Sequence, residues 1–427
     1  MFRLLLLTGG LFFWANCSAS APLPQPLSLA QALALVDDNH PVIQVVSARE
    51  ATAAARLLEE ESNDDLDVVL EGRLRYLEPA ASSAFQENND SRIELLVGKR
   101  LYDFGYTEAR QESARAALEA AQWAGINARQ RQQIRVLQAF LDVLLADLEY
   151  ARDNEAMSIA YVRLDRFRNR HELGQLSDVD LLQKENLYEK VLSQRSISQA
   201  KQNNSRLRLA LALNRPGEIP SELIPPDSPD MATALPELQS LVQQVLENNA
   251  SLKSLKKKIV AAEQSLSAAG KRYGPVLRGE LGVHQYYRET RSTSPFDAAL
   301  VLEMPLYTGG RSDAEAAKAR AELMQAQALK SQLELELRQQ VLDLWLEQST
   351  LQRKMKELLV REEYRDLYLD RSRTLYDLER TSDLGDAMVQ MSAVKLAVAK
   401  VQYQWMINEM RLKALTGELQ ITVGEDG

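Results

Sequence analysis

The chain predicts a mainly α-helical fold that carries a membrane β-barrel element and is built from one unit used twice. Three observations predict it. First, short motifs return in order at an offset of roughly 205–209 residues: Val69-Leu70-Glu71-Gly72-Arg73-Leu74 reappears as Val276-Leu277-Arg278-Gly279-Glu280-Leu281, and Leu101-Tyr102-Asp103-Phe104-Gly105 as Leu306-Tyr307-Thr308-Gly309-Gly310. Asp38-Asn39-His40-Pro41 is echoed by Glu247-Asn248-Asn249-Ala250, and Leu176-Ser177-Asp178-Val179 by Thr381-Ser382-Asp383-Leu384. Second, long proline-free stretches are dominated by Ala, Leu, Gln, Glu, Lys and Arg, while aromatic residues make up only 6% of the 427. That is the profile of long helices. Third, each half holds two segments of strict apolar/polar alternation, the period of a β-strand with two different faces.

The N-terminus reads as a secretory signal over residues 1–19: Arg3, the apolar run from Leu4 to Trp14, then small residues with a cut after Ala19. The run is too short to span a bilayer as a mature helix. Cys17 is the only cysteine, and Trp14-Ala15-Asn16 before it is a poor lipidation signal, so acylation of Cys17 is the lesser reading. With Cys17 removed, disulfides and thiolate chemistry are excluded from the mature chain. No other segment reaches the ~18 apolar residues of a membrane helix. A net charge of −9 without a basic stripe gives no reason to expect a nucleic-acid partner, and none is expected.

The first unit spans 28–213. Ser28 caps a helix expected to run to about Glu61. A β-hairpin follows over 66–102: Val68, Leu70, Leu74 and Tyr76 share one face with Gly72, and Asp67, Glu71, Arg73 and Arg75 the other with Val69. In its second strand Ile93, Leu95, Val97 and Leu101 face one way, with Lys99 out of pattern, and Arg92, Glu94 and Arg100 the other. A long helix is expected over 107–173, on the order of 100 Å at ~1.5 Å per residue. Gly174 ends it, and a return helix covers 177–213. Residues 214–235 form a linker, because Pro216, Pro220, Pro225, Pro226 and Pro229 deny it a helix.

The second unit, 236–417, repeats the plan with a helix from 236, a hairpin over 275–307, a long helix over 311–376 and a return helix over 382–415. A tail, 418–427, closes the chain. In each unit the two shorter helices sum to nearly the length of the long one, so two can stack end to end beside it. Strands of about ten residues with aromatic ends (Tyr76, Tyr102, Phe104, Tyr286, Phe296, Tyr307) have the length and pattern of membrane strands. A soluble sandwich would need more strands than these. Four strands do not close a membrane barrel, which needs about eight, and an open edge in lipid leaves backbone donors unpaired. Further copies must complete it: two give eight strands and three give twelve, and the residues alone do not choose.

With these features in order, the chain resembles the TolC-like outer-membrane efflux protein family over nearly all of its mature length. The resemblance rests on Leu29-Ala30-Gln31-Ala32-Leu33 with Asn39-His40-Pro41, on Pro305-Leu306-Tyr307-Thr308-Gly309-Gly310-Arg311, and on Glu172-Leu173-Gly174-Gln175-Leu176-Ser177. It implies a homotrimer whose twelve-stranded barrel lies in outer-membrane lipid and continues as a twelve-helix tunnel across the periplasm of a Gram-negative bacterium. It also implies a passive exit duct, docked to a periplasmic adaptor and an inner-membrane transporter of a tripartite efflux or type I secretion system. Drugs, metal ions and polypeptides all use the family, so the cargo stays open. The alternative is a periplasmic adaptor or coiled-coil scaffold of an export complex.

The helical turns are then the periplasmic tips. Asp383 and Asp386 match the family's Asp-x-x-Asp pattern, whose acids point into the closed bore, and Asp178 and Asp180 are weaker candidates for the same role. Trebled by symmetry, such carboxylates form rings that select cations. Equally, Ser177 and Ser382 stand where helices begin, and acids in a first turn favour the positive helix end. An arginine precedes the aspartate pair in familiar members; here Glu379 stands at that position, with Arg380 one residue on. Leu173, Gly174, Gln175, Leu176, Glu379 and Arg380 are the adaptor-contact candidates. No cofactor is expected, and the three histidines have no metal-ligand spacing. With no nucleophile-elbow pattern either, an enzyme is not expected.

Overall fold

The structure, a computed structural model, describes residues 22–36, 38–289, 293–378, 380 and 383–419. The expected signal segment with Cys17, and also Glu379, Thr381, Ser382 and most of the tail, lie outside the described residues.

Among the described residues eight helices and four strands alternate in two similar blocks. The first holds α1 (Leu29–Ala34), α2 (Pro41–Ser62), β1 (Asp67–Arg73), β2 (Arg92–Tyr102), α3 (Tyr106–Glu172) and α4 (Asp178–Ala212). The second holds α5 (Leu238–Asn248), α6 (Ala250–Lys271), β3 (Val276–Tyr286), β4 (Phe296–Glu303), α7 (Arg311–Asp377) and α8 (Leu384–Thr416). Helices α3 and α7 are both 67 residues long.

Where one opening helix was expected in each unit, the structure shows two. In the first, Pro41 takes the first helical position, where its missing N–H costs nothing, and holds His40 extended. The His40 imidazole then accepts the Val42 N–H at 3.2 Å and caps α2. In the second, Asn249 ends α5, and its side chain caps α6 by accepting from Leu252 at 3.1 Å. The echoed motifs around residues 38–41 and 247–250 are thus a repeated helix break. Strand ends differ too: β1 stops at Arg73 and Tyr76 survives only as an isolated bridge to Asn89, while β4 stops before Pro305, which has no ladder donor.

The strands form one antiparallel sheet in the order β1-β2-β3-β4 rather than two separate hairpins. The pairing β2–β3, with Glu94 opposite His284 and Val97 opposite Leu281, joins the two blocks. Ile93, Leu95 and Leu101 of β2 stand exposed on one face with Val68, Leu70, Leu281, Val283, Leu300 and Leu302. The opposite face is charged and internally paired: Arg73 meets Glu71 at 2.6 Å and Arg92 meets Glu94 at 2.7 Å.

The helices follow the same order. α3 packs on α2 and α4 along one side and on α6 and α8 along the other, and α7 packs on the far side of α6 and α8. The shorter helices therefore stack end to end between or beside the long ones, and each junction is sewn. Gln132, fully buried on α3, donates to the Ala212 carbonyl at the end of α4 at 2.9 Å and meets His40 Nε2 at 3.0 Å. In the other stack, Asn249 donates to the Leu415 carbonyl of α8 at 3.3 Å.

The largest core sits at the first junction. Val136, Phe140, Leu141 and Val143 of α3 meet Leu209 and Leu213, Tyr403 and Ile407 of α8, and Leu23 and Leu27 of the N-terminal lead. Leu27 is held by a parallel bridge to Leu223 of the linker, which wraps the helices at this level. Smaller clusters lie along α7, around Leu241, Val245, Leu252 and Val341 and around Leu358 and Val401. Among the described residues no helix is long and apolar enough to cross a membrane.

Candidate functional site at the helical tips

The two ends farthest from the sheet are the turns α3–α4 and α7–α8. The two share one long backbone bond. At the first, Gly174 takes the left-handed region (φ 70°), its N–H donates to His171 O at 2.8 Å, and Gln175 N–H reaches back to Arg170 O at 2.9 Å. This double closure satisfies the last carbonyls of α3. At the second, Arg380 N–H makes the corresponding long bond to Leu375 O at 3.0 Å.

The first tip is linked within itself. His171 Nε2 lies 2.6 Å from Asp178, and Arg168 pairs with Glu185 at 3.0 Å. The Ser177 hydroxyl accepts from the Asp180 N–H at 3.2 Å and donates to the Asp180 carboxylate at 2.7 Å. Asp180 is therefore part of the helix start, and Asp178 is tied to the other arm of its own hairpin. Leu173, Gly174 and Gln175 are exposed at the apex, and Leu176 is half-buried.

The second tip reaches elsewhere. Asp383 turns back onto α7, where its carboxylate accepts from the Tyr368 hydroxyl and from the buried Ser372 hydroxyl at 2.9 Å. The Tyr368 bond, then the Ser372 bond, hold the Asp383 carboxyl below the usual carboxylate range, and the same contact pushes the Tyr368 phenol up. Asp386 instead crosses to the first hairpin and pairs with Arg163 of α3 at 2.8 Å. Two further contacts accompany it. Ser392 donates to Glu155 at 2.6 Å, and Gly385 lies so close to Ile159 that an added Cβ would stand 2.8 Å from its Cγ2. Asp383 and Asp386 thus sit in one turn but serve different partners. Arg380 is exposed and forms no ion pair among the described residues.

Tyr368, Ser372, Arg163, Glu155 and Ile159 were not singled out from the sequence. Each belongs to a long helix and resembles its neighbours; the return of Asp383 onto α7 selects Tyr368 and Ser372, and the packing of α8 on α3 selects Arg163, Glu155 and Ile159. The one available signal was Gly385, a glycine in a helical first turn, where it weakens the helix unless something packs close. Among the described residues no group of three His, Cys, Asp or Glu side chains is placed to hold a metal ion.

Residues 241–418 match the family described as "Outer membrane efflux protein". No curated protein matches the sequence. Solved structures share the fold. The outer-membrane channel CmeC of Campylobacter jejuni superposes with a TM-score of 0.74 at 14% identity, over 91% of this chain and 85% of that one. The outer membrane protein VceC of Vibrio cholerae gives 0.71 at 16% identity, over 91% and 96%. CusC, whose structures concern folding and transmembrane channel formation, gives 0.74 at 16%, over 91% and 92%. The mainly helical architecture with a small sheet is that of these channels.

Proposed function

We propose that this chain, whose resemblance to the TolC-like outer-membrane efflux proteins is shown in its second half and in its fold, is the outer-membrane exit duct of a tripartite efflux or type I secretion system. It acts as a homotrimer with its helices in the periplasm, and receives cargo from an inner-membrane transporter through a periplasmic adaptor. One observation carries the reading: the protomer is a layer with two open edges. Sheet and helices run in the same order, from β1 with α2 and α4 at one side to β4 with α7 at the other. Beyond the α4 edge, Val179, Leu182, Ile197 and Leu211 stand exposed on one helical face, and beyond the α7 edge Leu335, Leu346, Val360 and Leu367 do the same. Edges that differ make a head-to-tail contact, and such contacts close into rings. In lipid the free edges of β1 and β4 must find each other in neighbouring copies.

The tips supply the closure. In a trimer the Arg163–Asp386 pair occurs three times around the narrow end, and each holds the second hairpin against the first. Asp383 keeps the turn of that hairpin folded on α7. Opening then means parting α8 from α3, driven by partner binding at the apolar apex around Leu173 and Leu378. Asp386 keeps much of its carboxylate in solvent, with 60% of the side chain exposed, so it serves passing cations as well.

The test is the native mass of detergent-extracted protein from outer-membrane fractions. A mass near three times the mature chain, with small single-channel conductance that rises in Asp386→Ala, supports the duct. A soluble periplasmic monomer would sink it and leave the scaffold reading.

A further inference from the structure

On the apolar face of the sheet one residue is out of place. Lys99 of β2 shares that face with Ile93, Leu95, Val97 and Leu101, and it is exposed. The charged residues nearby on the opposite face have partners: Arg92 with Glu94 at 2.7 Å and Arg100 with Asp103 at 3.3 Å. Among the described residues Lys99 forms no ion pair or hydrogen bond. A cation on a lipid-facing strand is costly at mid-bilayer and far less so near an interface. Lys99 stands near the end of β2, three residues from Tyr102, which is roughly 10 Å of strand at ~3.3 Å per residue. The aromatic pair Tyr102 and Phe104, with ring centroids 4.7 Å apart, marks that end as the interface level.

Beside Lys99 the sheet leaves room. Its register partner on β3 is Gly279, with no side chain; beyond Gly279 β4 places Leu300 in register, and the small Ala298 stands opposite Leu281 on the same face. A shallow cleft of about 550 Å³ results, walled by Leu66, Val97, Leu101, Leu281, Ala298 and Leu300, with Lys99 at its margin and Glu280 also in its lining. Leu101 leans over Gly279, one of its methyls 3.3 Å from where a Cβ would be.

We propose that Lys99 and this cleft bind an anionic membrane phospholipid, the ammonium taking the headgroup phosphate and the apolar walls taking an acyl chain. The inference rests on the reading of the strands as membrane-spanning. The occupant is a lipid and not a free anion, because the cleft opens onto the apolar band, its walls are mostly hydrocarbon, and its one cation is offset by Glu280 in the lining, too little net charge to hold a free anion.

The experiment uses the full chain in its native oligomer, extracted in mild detergent and titrated with phosphatidylglycerol or phosphatidylcholine under native mass spectrometry. Wild type is expected to retain phosphatidylglycerol at least ten-fold over phosphatidylcholine. Lys99→Gln is expected to lose that preference, Lys99→Arg to keep it, and Lys318→Gln on α7 to leave it unchanged. Gly279→Leu, which fills the cleft and spares the charge, is expected to weaken retention as well. Equal retention by wild type and Lys99→Gln overturns the proposal, as does equal retention of the two lipids or displacement by inorganic phosphate at equal concentration. An alkaline wash of membranes separates the two readings: protein that stays while Lys99→Gln is silent refutes the lipid site alone, and protein that washes off refutes the membrane strands first.

Discussion

Gly385→Val tests whether α8 is held shut against α3 by contact rather than by charge alone. An added Cβ meets Ile159 Cγ2 at 2.8 Å, where ordinary contact begins at 3.4 Å, so α8 or Ile159 must retreat by about 0.6 Å. The two further methyls of valine enlarge that displacement. Overpacking of this kind costs roughly 1–3 kcal/mol. Replacing a helical glycine returns a few tenths of a kcal/mol, which leaves about 1–2.5 kcal/mol per chain against the closed tip. At 1.36 kcal/mol per decade this is about a five- to seventy-fold shift toward the parted state. The readouts are the open fraction in planar bilayers and the rate of protease nicking at the α7–α8 turn, and both should rise. Ile159→Ala removes the obstructing atoms, so the double variant should come back toward wild type by about 1–2 kcal/mol of coupling, as contacting residues do. A Gly385→Val protein that conducts and is cut like wild type refutes the reasoning. So does an effect that Ile159→Ala leaves untouched.

The same geometry sets other outcomes. Arg163→Ala removes an ion pair whose side chains are 45% and 60% exposed; such pairs contribute roughly 0.2–1 kcal/mol, so bilayer open fraction should rise only about 1.4- to five-fold, and less at high salt. Asp383 has its carboxyl depressed by Tyr368 and Ser372, so the stability it adds is present above the ordinary carboxylate value and is lost as pH falls through the lowered folded value. Nicking at the second tip should therefore stay flat from pH 7 to 5 and rise only in stronger acid, and Tyr368→Phe should move that rise to higher pH. Gly174→Ala forces a side chain into the left-handed region at φ 70°, with nothing within 4 Å to clash. The cost is backbone strain alone, roughly 1–2 kcal/mol, seen as faster nicking at the first tip, with Gly174→Asn milder.

The features legible in the sequence were those with a period or a punctuation mark. Alternation at residues 67–73 and 276–286 marks strands because facing sides are chemically different, and the repeat of that alternation reports the duplication. The break at His40-Pro41 was visible as a motif but read as a bare echo, since proline is tolerated in a first helical turn and the apolar pattern runs across it. The β2–β3 pairing was not legible, because register between strands separated by a long helical excursion is a property of the packed layer. At the tips, Asp383 and Asp386 were found by their spacing, yet their partners were not. Tyr368 and Ser372 lie on the opposite arm, and Arg163 on another hairpin, so no local pattern contains them.

The duplication is faithful in backbone and unfaithful in chemistry. Both long helices have the same length, both tips end in the same long backbone bond, and both junctions are sewn from a side chain to a last-turn carbonyl. Those are the features a two-unit layer needs in each unit. The side chains at the tips have diverged. The first hairpin spends its tip polar groups internally, through Arg168–Glu185, His171–Asp178 and Ser177–Asp180. The second sends Asp386, Ser392 and the bare backbone of Gly385 across to the first. A hairpin closed on itself keeps its shape when its neighbour leaves; one held by exposed cross-contacts does not stay docked without them. On the proposed duct reading, the first hairpin is the frame and α7–α8 is the arm expected to swing from it.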